Sequence, residues 1–335
     1  MNEYPTQGWL PVNIQFDAQP SLIPEAPVRW MEFGAMPLAD PFFDHTVARL
    51  REATPPAREI ETSIGSMLRL SSRLPSVTPA GFIFHISRCG STLIANGLKT
   101  AEGAVVVSES QPVTHILLPQ SPTIGPSLTA RWDRTRHAIL DSLFTLFAHY
   151  RTGEAGKLII KFTSINILCL PVVRAYWPNV PCLVVIRDPA EVMVASIPGG
   201  GWMSLKSSPQ AAARMFGWAD SPEAIASMTD EEYSARVMQR FFYAALTALD
   251  RHCMVVDYED LSPKRVRELA SFFGLEIPPS GDDLQQTFSV YAKDPTRRTQ
   301  FKDDRELKRR LANSQVRSAA RQWAMAPYNE LRGRD

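Results

Sequence analysis

Residues 81–92 of this 335-residue chain, Gly-Phe-Ile-Phe-His-Ile-Ser-Arg-Cys-Gly-Ser-Thr, change character twice in twelve positions. An apolar, β-prone run from Gly81 to Ile86 stops at Ser87-Arg88-Cys89-Gly90-Ser91-Thr92, and an amphipathic helical pattern starts at Leu93. The pattern predicts a strand, a tight polar loop and a helix N-terminus. The first turn of a helix has unpaired N–H groups and partial positive charge, so it attracts phosphate-like anions. Gly90 lets the backbone come close to such an anion, Cys89 offers its backbone N–H, and Ser91 and Thr92 add hydroxyl donors. Arg88 adds a fixed charge on a planar fork.

The surrounding chain alternates. Strands are expected at 81–86, 104–108, 157–162, 182–186 and 253–258. Helices are expected at 91–100, 132–151, 166–176, 190–197, 207–217, 230–252 and 263–273. Short continuous apolar strands alternating with helices imply an α/β fold with a central parallel sheet flanked by helices on both faces. Ligands of such sheets bind at the carboxyl ends of the strands. Residues 1–75 are rich in proline and aromatic side chains and read as an irregular or small β/α extension of unknown role, with 76–335 as the α/β domain. Helical periodicity shows within that extension near Phe42–Arg51 and Ile60–Leu70. Pro278 to Asp304 reads as loop, and Asp304 to Tyr328 as a closing helix with Trp323 and Tyr328 on the core. Gly199-Gly-Gly-Trp-Met-Ser204 is either a substrate-facing lid or a plain flexible connection.

A second strand-end motif follows about a hundred residues later. Cys182-Leu-Val-Val-Ile186 is an apolar run of the buried parallel kind, and Arg187-Asp188-Pro189 closes it before a helical stretch to Ser196. A guanidinium and a hydroxyl there suit a dianionic phosphate. Equally, Arg187 could pair with Asp188 while Pro189 serves as an ordinary first helical residue.

The first loop resembles the ATP-binding P-loop, Gly-x-x-x-x-Gly-Lys-Ser/Thr, but His85 stands at its first glycine and Ser91 at its lysine. The cation lies two residues before Gly90 instead, as Arg88. This arrangement is similar to the 5′-phosphosulfate loop of sulfotransferases that use 3′-phosphoadenosine 5′-phosphosulfate (PAPS). The strand-terminal Arg187 with Ser196 resembles the 3′-phosphate motif of that family. The family serine falls eight residues after the arginine, where this chain has Ala195, so Ser196 is one position late. Val255-Val-Asp-Tyr-Glu-Asp-Leu261, then Pro263 and a helix closed by Gly274, resembles the family's late segment and carries no chemistry of its own. The three matches span residues 81 to about 275 in the family order.

The resemblance implies a three-layer P-loop-like fold and transfer of a sulfuryl group from PAPS to a hydroxyl or amine acceptor. Arg88 and the loop amides would stabilise charge on the leaving 5′-phosphate, with no metal. In the family a late basic loop closes over the nucleotide, which makes Arg297 and Arg298 candidates for the 3′-phosphate or adenosine. The family's usual base, a histidine two residues after a strand-terminal lysine, is replaced here: Lys161 is followed by Phe162 and Thr163. Glu109, just past the strand Ala104–Ser108, is the candidate base, and some relatives use a glutamate. The competing reading of Glu109 is an ion pair with Arg88 or a helix cap, and His85 is a rival base that reads as a core histidine. An ATP-dependent kinase or NTPase and a non-catalytic nucleotide-binding module are the alternatives.

Composition narrows the partners. A net charge of +1 gives no overall bias towards nucleic acid or acidic membrane surfaces, although Lys293–Asp335 holds twelve Lys/Arg against six Asp/Glu. No apolar run reaches the ~18 residues of a membrane span; Leu158–Val173 is interrupted by Lys161, Asn166 and Pro171. Met1–Pro5 carries neither a basic region nor an apolar core, so no leader is expected. Cysteines at 89, 169, 182 and 253 suit neither a disulfide framework nor zinc, and a cytoplasmic location is expected. Cys89 lacks the arginine six residues on that a phosphatase nucleophile requires, since Ala95 is there. The acceptor and the oligomeric state are not legible.

Overall fold

A computed structural model describes residues 7–15, 20–118, 126–151, 154–278 and 282–334. Eight strands are present among them: β1 (Trp9–Ile14), β2 (Pro27–Glu32), β3 (Glu59–Ser63), β4 (Gly81–His85), β5 (Ala104–Ser108), β6 (Lys157–Lys161), β7 (Cys182–Ile186) and β8 (Cys253–Asp257). The last five form one sheet in the order β5-β6-β4-β7-β8, and β5/β6 and β7/β8 pair in parallel. Every residue of β4 and of β7 is buried, so these strands lack polar alternation because neither face meets water. Central β4 leads through a polar loop into the helix Ser91–Leu98, the strand–loop–helix order of a P-loop-like α/β fold.

By its internal contacts the chain forms two compact units. The first holds Met1–Phe82, Thr92–Thr163 and Pro263–Gln300; the second holds Ile83–Ser91, Ser164–Ser262 and Phe301–Asp335. In the first unit, the helix Pro126–His149 packs on β5, β6 and the helix Ile64–Ser71. In the second, the helix Asp230–Leu246 packs on the helices Pro189–Ser196 and Met325–Arg332 and on the 3-10 turn Ser164–Cys169. Its apolar residues Val237, Met238, Phe241 and Phe242 are fully buried, each such side chain stabilising the fold by roughly 1.5–3 kcal/mol.

Three readings change or sharpen in detail. The amino-terminal region takes the small β/α form of the two expected, not the irregular one: a three-stranded antiparallel sheet, β1-β2-β3, with helices Phe43–Arg51 and Ile64–Ser71. Its strands are masked in the sequence because Pro11 and Pro27 lie within them, Pro11 beside a register shift where a ladder bond is dispensable. The stretch after Pro278 is not all loop but includes a helix, Asp282–Ser289. The closing segment is broken: a helix Arg305–Leu311 stops, Asn313 caps a second turn by accepting from Val316 N at 2.8 Å, and a π-helical turn Ala320–Ala324 leads into Met325–Arg332. Tyr328 is buried, whereas Trp323 is half-buried with the Arg236 guanidinium 5.1 Å from its ring centroid. Met1–Pro5, where a leader was sought, lies outside the described residues. No helix among the described residues is long and apolar enough to cross a membrane.

Candidate functional site

In the second unit the loop after β4 is built from left-handed backbone. Ser87, Arg88 and Gly90 have φ of 76°, 52° and 81°, the first two being uncommon for residues with a side chain. Two local bonds hold the turn: Ile86 N–H reaches Val185 O at 3.3 Å, and Ser87 N–H donates to His85 Nδ1 at 3.1 Å. His85 is thus a buried turn organiser. Successive N–H groups in such a turn form an anion-binding concavity, here opening a helix at the carboxyl end of a central strand. A β-carbon on Gly90 would fall 2.4 Å from Leu261 Cδ1 and 2.8 Å from Tyr258 Cδ2, so the close approach and the positive φ both require glycine. Cys89 and Ser91 are buried beside it. Arg88 is exposed, and its guanidinium has no hydrogen-bond or ion-pair partner among the described residues.

Arg187, at the end of β7, meets this loop directly. Its Nη1 donates to the Arg88 carbonyl at 3.1 Å, its Nε to Glu191 Oε2 at 2.8 Å and its Nη2 to Asp304 Oδ1 at 3.1 Å. The guanidinium also lies 4.0 Å from the ring centroid of Tyr258, a good cation–π distance. Burial works against the Arg187 charge, but Glu191 and Asp304 outweigh it and raise its pKa. Asp188 caps the following helix through Glu191 N rather than pairing with Arg187. The outer carboxylates are themselves held: Arg309 Nε reaches Glu191 Oε1 at 2.6 Å and Lys308 Nζ reaches Asp304 Oδ2 at 2.6 Å. Ser196, at the end of that helix, is buried, and its Oγ has no hydrogen-bond partner among the described residues.

The first unit carries a second constellation at the ends of β5 and β6. Ser108 pairs with Lys161, and Glu109 follows in a left-handed conformation (φ 55°), its N–H donating to Lys161 O at 2.7 Å. That turn brings the Glu109 carboxylate onto Lys161 Nζ in a close ion pair, with the lysine side chain fully buried and the glutamate 25% exposed. The Phe42 ring centroid lies 5.5 Å from the same ammonium. Thr163, at the place of the family's histidine, has its Oγ1 3.4 Å from Thr114 Oγ1. The Oγ atoms of Ser108 and Ser110, flanking Glu109, are buried and have no hydrogen-bond partner among the described residues.

Thr92, Arg297 and Arg298 also belong to the first unit. Thr92 is buried in the first turn of its helix. The Asp294 carboxylate organises the arginine loop by accepting from the N–H groups of Thr296, Arg298 and Thr299. Arg297 has φ 54° and lines a cavity of about 280 Å³ with Lys99, Asn96 and Arg151. Burial, reinforced by Lys161, pushes the Lys99 amine down to about 7. The structure therefore joins Arg88 to Arg187 and Glu109 to Lys161, and sets Arg297 against Lys99.

Sequence reasoning missed Glu191, Asp304 and Tyr258 as partners of Arg187. Glu191 could have been found, since it lies four residues after Arg187 across a helix start. Asp304 could not, being 117 residues away. No group of three or more His, Cys, Asp or Glu side chains that could hold a metal ion occurs among the described residues.

No protein-family model matches the chain, and no curated protein matches it. Solved structures similar to it are sulfotransferases. One is a sulfotransferase domain from the curacin biosynthetic pathway, 16% identical over 74% of this chain and 98% of that one, with a TM-score of 0.36. Another, from Alicyclobacillus acidocaldarius, is 14% identical over 73% and 96%, with a TM-score of 0.38. A third, STF9 from Mycobacterium avium, is 11% identical over 74% and 80%, with a TM-score of 0.39.

Proposed function

We propose that the chain is a sulfotransferase that takes its sulfuryl group from PAPS and passes it to a hydroxyl or amine acceptor. The observation that carries this reading is the left-handed loop Ser87–Gly90, with an Arg88 guanidinium that has no partner among the described residues and an Arg88 carbonyl bound to the strand-terminal Arg187. The buried orphan hydroxyl of Ser196 fits the same reading, because a polar atom without a protein partner is most simply satisfied by a ligand oxygen. Bound PAPS would supply the sulfuryl group and depart as adenosine 3′,5′-bisphosphate. The loop amides of Arg88, Cys89, Gly90, Ser91 and Thr92 would hold the 5′-phosphate, and the Arg88 guanidinium would neutralise charge gathering on it. Arg187 and Ser196 would hold the 3′-phosphate, with Arg297 and Arg298 as further contacts. Glu109 would take the proton of the acceptor, with Lys161 holding that carboxylate in place through their ion pair.

Calorimetric titration with adenosine 3′,5′-bisphosphate, alongside ATP with and without magnesium, tests this. Metal-independent bisphosphate binding that Arg88→Ala abolishes supports it. Magnesium-dependent ATP binding with no response to bisphosphate replaces it with a kinase or NTPase. A second reading, a non-catalytic nucleotide-binding module in a cytoplasmic setting, draws on the closed Glu109–Lys161 pair, which leaves the candidate base already engaged. Bisphosphate binding without sulfuryl transfer to any acceptor in a broad screen would favour it.

A further inference from the structure

Two of the four cysteines begin adjacent strands. Cys182 opens β7, Cys253 opens β8, and the two are register partners in the parallel ladder. Neighbouring strands lie about 4.8 Å apart, inside the window of about 4.4–6.8 Å between α-carbons that a disulfide requires. Register partners on neighbouring strands project to the same face; the Cys182 thiol donates to Leu183 O and the Cys253 thiol to Ala248 O, each at 3.8 Å. Cys182 N–H donates across to His252 O at 2.9 Å, and Cys253 N–H closes the turn before β8 by donating to Asp250 O at 2.9 Å.

Their environments differ in a useful way. Cys182 is fully buried, and burial pushes its thiol well up. Cys253 is half-buried; the neighbouring Cys182 thiol lowers its pKa, and the Arg174 cation adds to that effect. Arg174 is fixed there by Nε and Nη2 bonds to Asp250 Oδ2 at 3.2 and 2.7 Å. A half-buried thiol beside a fully buried one is the arrangement of an attacked and a resolving cysteine.

We propose that Cys182 and Cys253 form a dithiol that a hydroperoxide converts into a reversible disulfide. The Cys253 thiolate attacks the peroxide, breaking its O–O bond, forming a sulfenic acid and releasing hydroxide or alkoxide. The Cys182 sulfur then attacks the Cys253 sulfur, the S–O bond breaks, the S–S bond forms, and the Cys182 proton leaves with the hydroxyl as water. Two thiols are oxidised and one peroxide is reduced. The step is independent of the sulfuryl-transfer reading, and its test reads peptides, not activity.

The full-length reduced protein is treated with stoichiometric hydrogen peroxide, alkylated under denaturing conditions and mapped by mass spectrometry. The expected product is a dithiothreitol-reversible link between the peptides of Cys182 and Cys253, formed about tenfold or more faster than any change at the buried Cys89 and Cys169. Cys182→Ser should stop at a sulfenic acid on Cys253 that dimedone traps. Oxidation of wild-type Cys253 to sulfinic acid with Cys182 still free would overturn the proposal. So would links to Cys89 or Cys169, or no loss of thiols.

Discussion

β6 and β7 both end in a buried cation, and the two ends are satisfied in opposite ways. Lys161 meets one carboxylate, Glu109, and the face of Phe42. Arg187 meets two carboxylates, a carbonyl and the face of Tyr258. The difference follows from the head groups. An ammonium is a compact charge that one carboxylate can answer, whereas a guanidinium presents five donors in a plane and needs several acceptors at fixed angles. The lysine end therefore depends on one carboxylate and leaves it partly in water. The arginine end is over-determined except at Asp304, whose side chain is 42% exposed while that of Glu191 is 2% exposed.

The largest effect is expected where one carboxylate does everything. Glu109→Gln keeps an amide oxygen near Lys161 but cannot accept the acceptor's proton. Turnover should fall by about 10²–10⁴-fold while bisphosphate affinity stays near wild type. Steady-state kinetics beside calorimetry decides it, and an unchanged rate removes Glu109 from the chemistry.

Arg187→Met tests the over-determined end. It leaves Glu191 buried with Arg309 as its remaining ion-pair partner among the described residues, and breaking a buried pair in this way costs about 3 kcal/mol. The urea midpoint should drop accordingly. The double variant with Glu191→Leu should recover much of that loss, because two apolar groups of suitable volume replace two desolvated charges. A loss in the double variant equal to that in the single one would show that Glu191 is not the dominant partner.

The contrast between the two ends was only half legible in the sequence. Strand-terminal Lys161 and Arg187 stood out because each closes a run of apolar residues, and so did the loop between them in sheet order, whose composition changes abruptly at Ser87. Glu109 could be placed at a strand mouth by the same logic. Its partner could not, since an in-register pairing of Ser108 with Lys161 is a tertiary fact. The left-handed turn that swings the carboxylate over carries no glycine to announce it. The carboxylates around Arg187 were hidden for a different reason. Asp304 lies in a basic stretch that reads as a solvated helix, and the break at Ala312–Asn313 that shortens that helix interrupts no apolar pattern.

Asp304 is the point at which the over-determined end can be loosened without dismantling it. A phosphate sharing the Arg187 fork would compete with this carboxylate, so Asp304→Asn should tighten bisphosphate binding about tenfold, roughly 1.4 kcal/mol. Its effect on stability should be small, because a pair this exposed contributes little. Weaker binding in the variant would mean that Asp304 positions Arg187 for the ligand and does not compete with it.

The smallest effect is in acid, and its sign follows from the direction of one pKa. Burial works to raise the Asp304 carboxyl, but Lys308 and Arg187 outweigh it and hold it below the ordinary aspartate range. A carboxyl with a lowered folded-state pKa adds stability that is fully present above its unfolded value, about 3.9. That increment is lost as pH falls through the lower folded value. Wild type should therefore exceed Asp304→Asn in stability near neutrality by a constant margin that closes only in strong acid. The Glu109 end offers a control, since Glu109→Gln removes a different carboxylate and leaves the Asp304 margin unchanged. Urea midpoints of the three proteins from neutral pH down to the acid transition measure both margins. Parallel wild-type and Asp304→Asn curves throughout would show that Arg187 and Lys308 do not stabilise the Asp304 charge, and the arginine end would then rest on Glu191 alone.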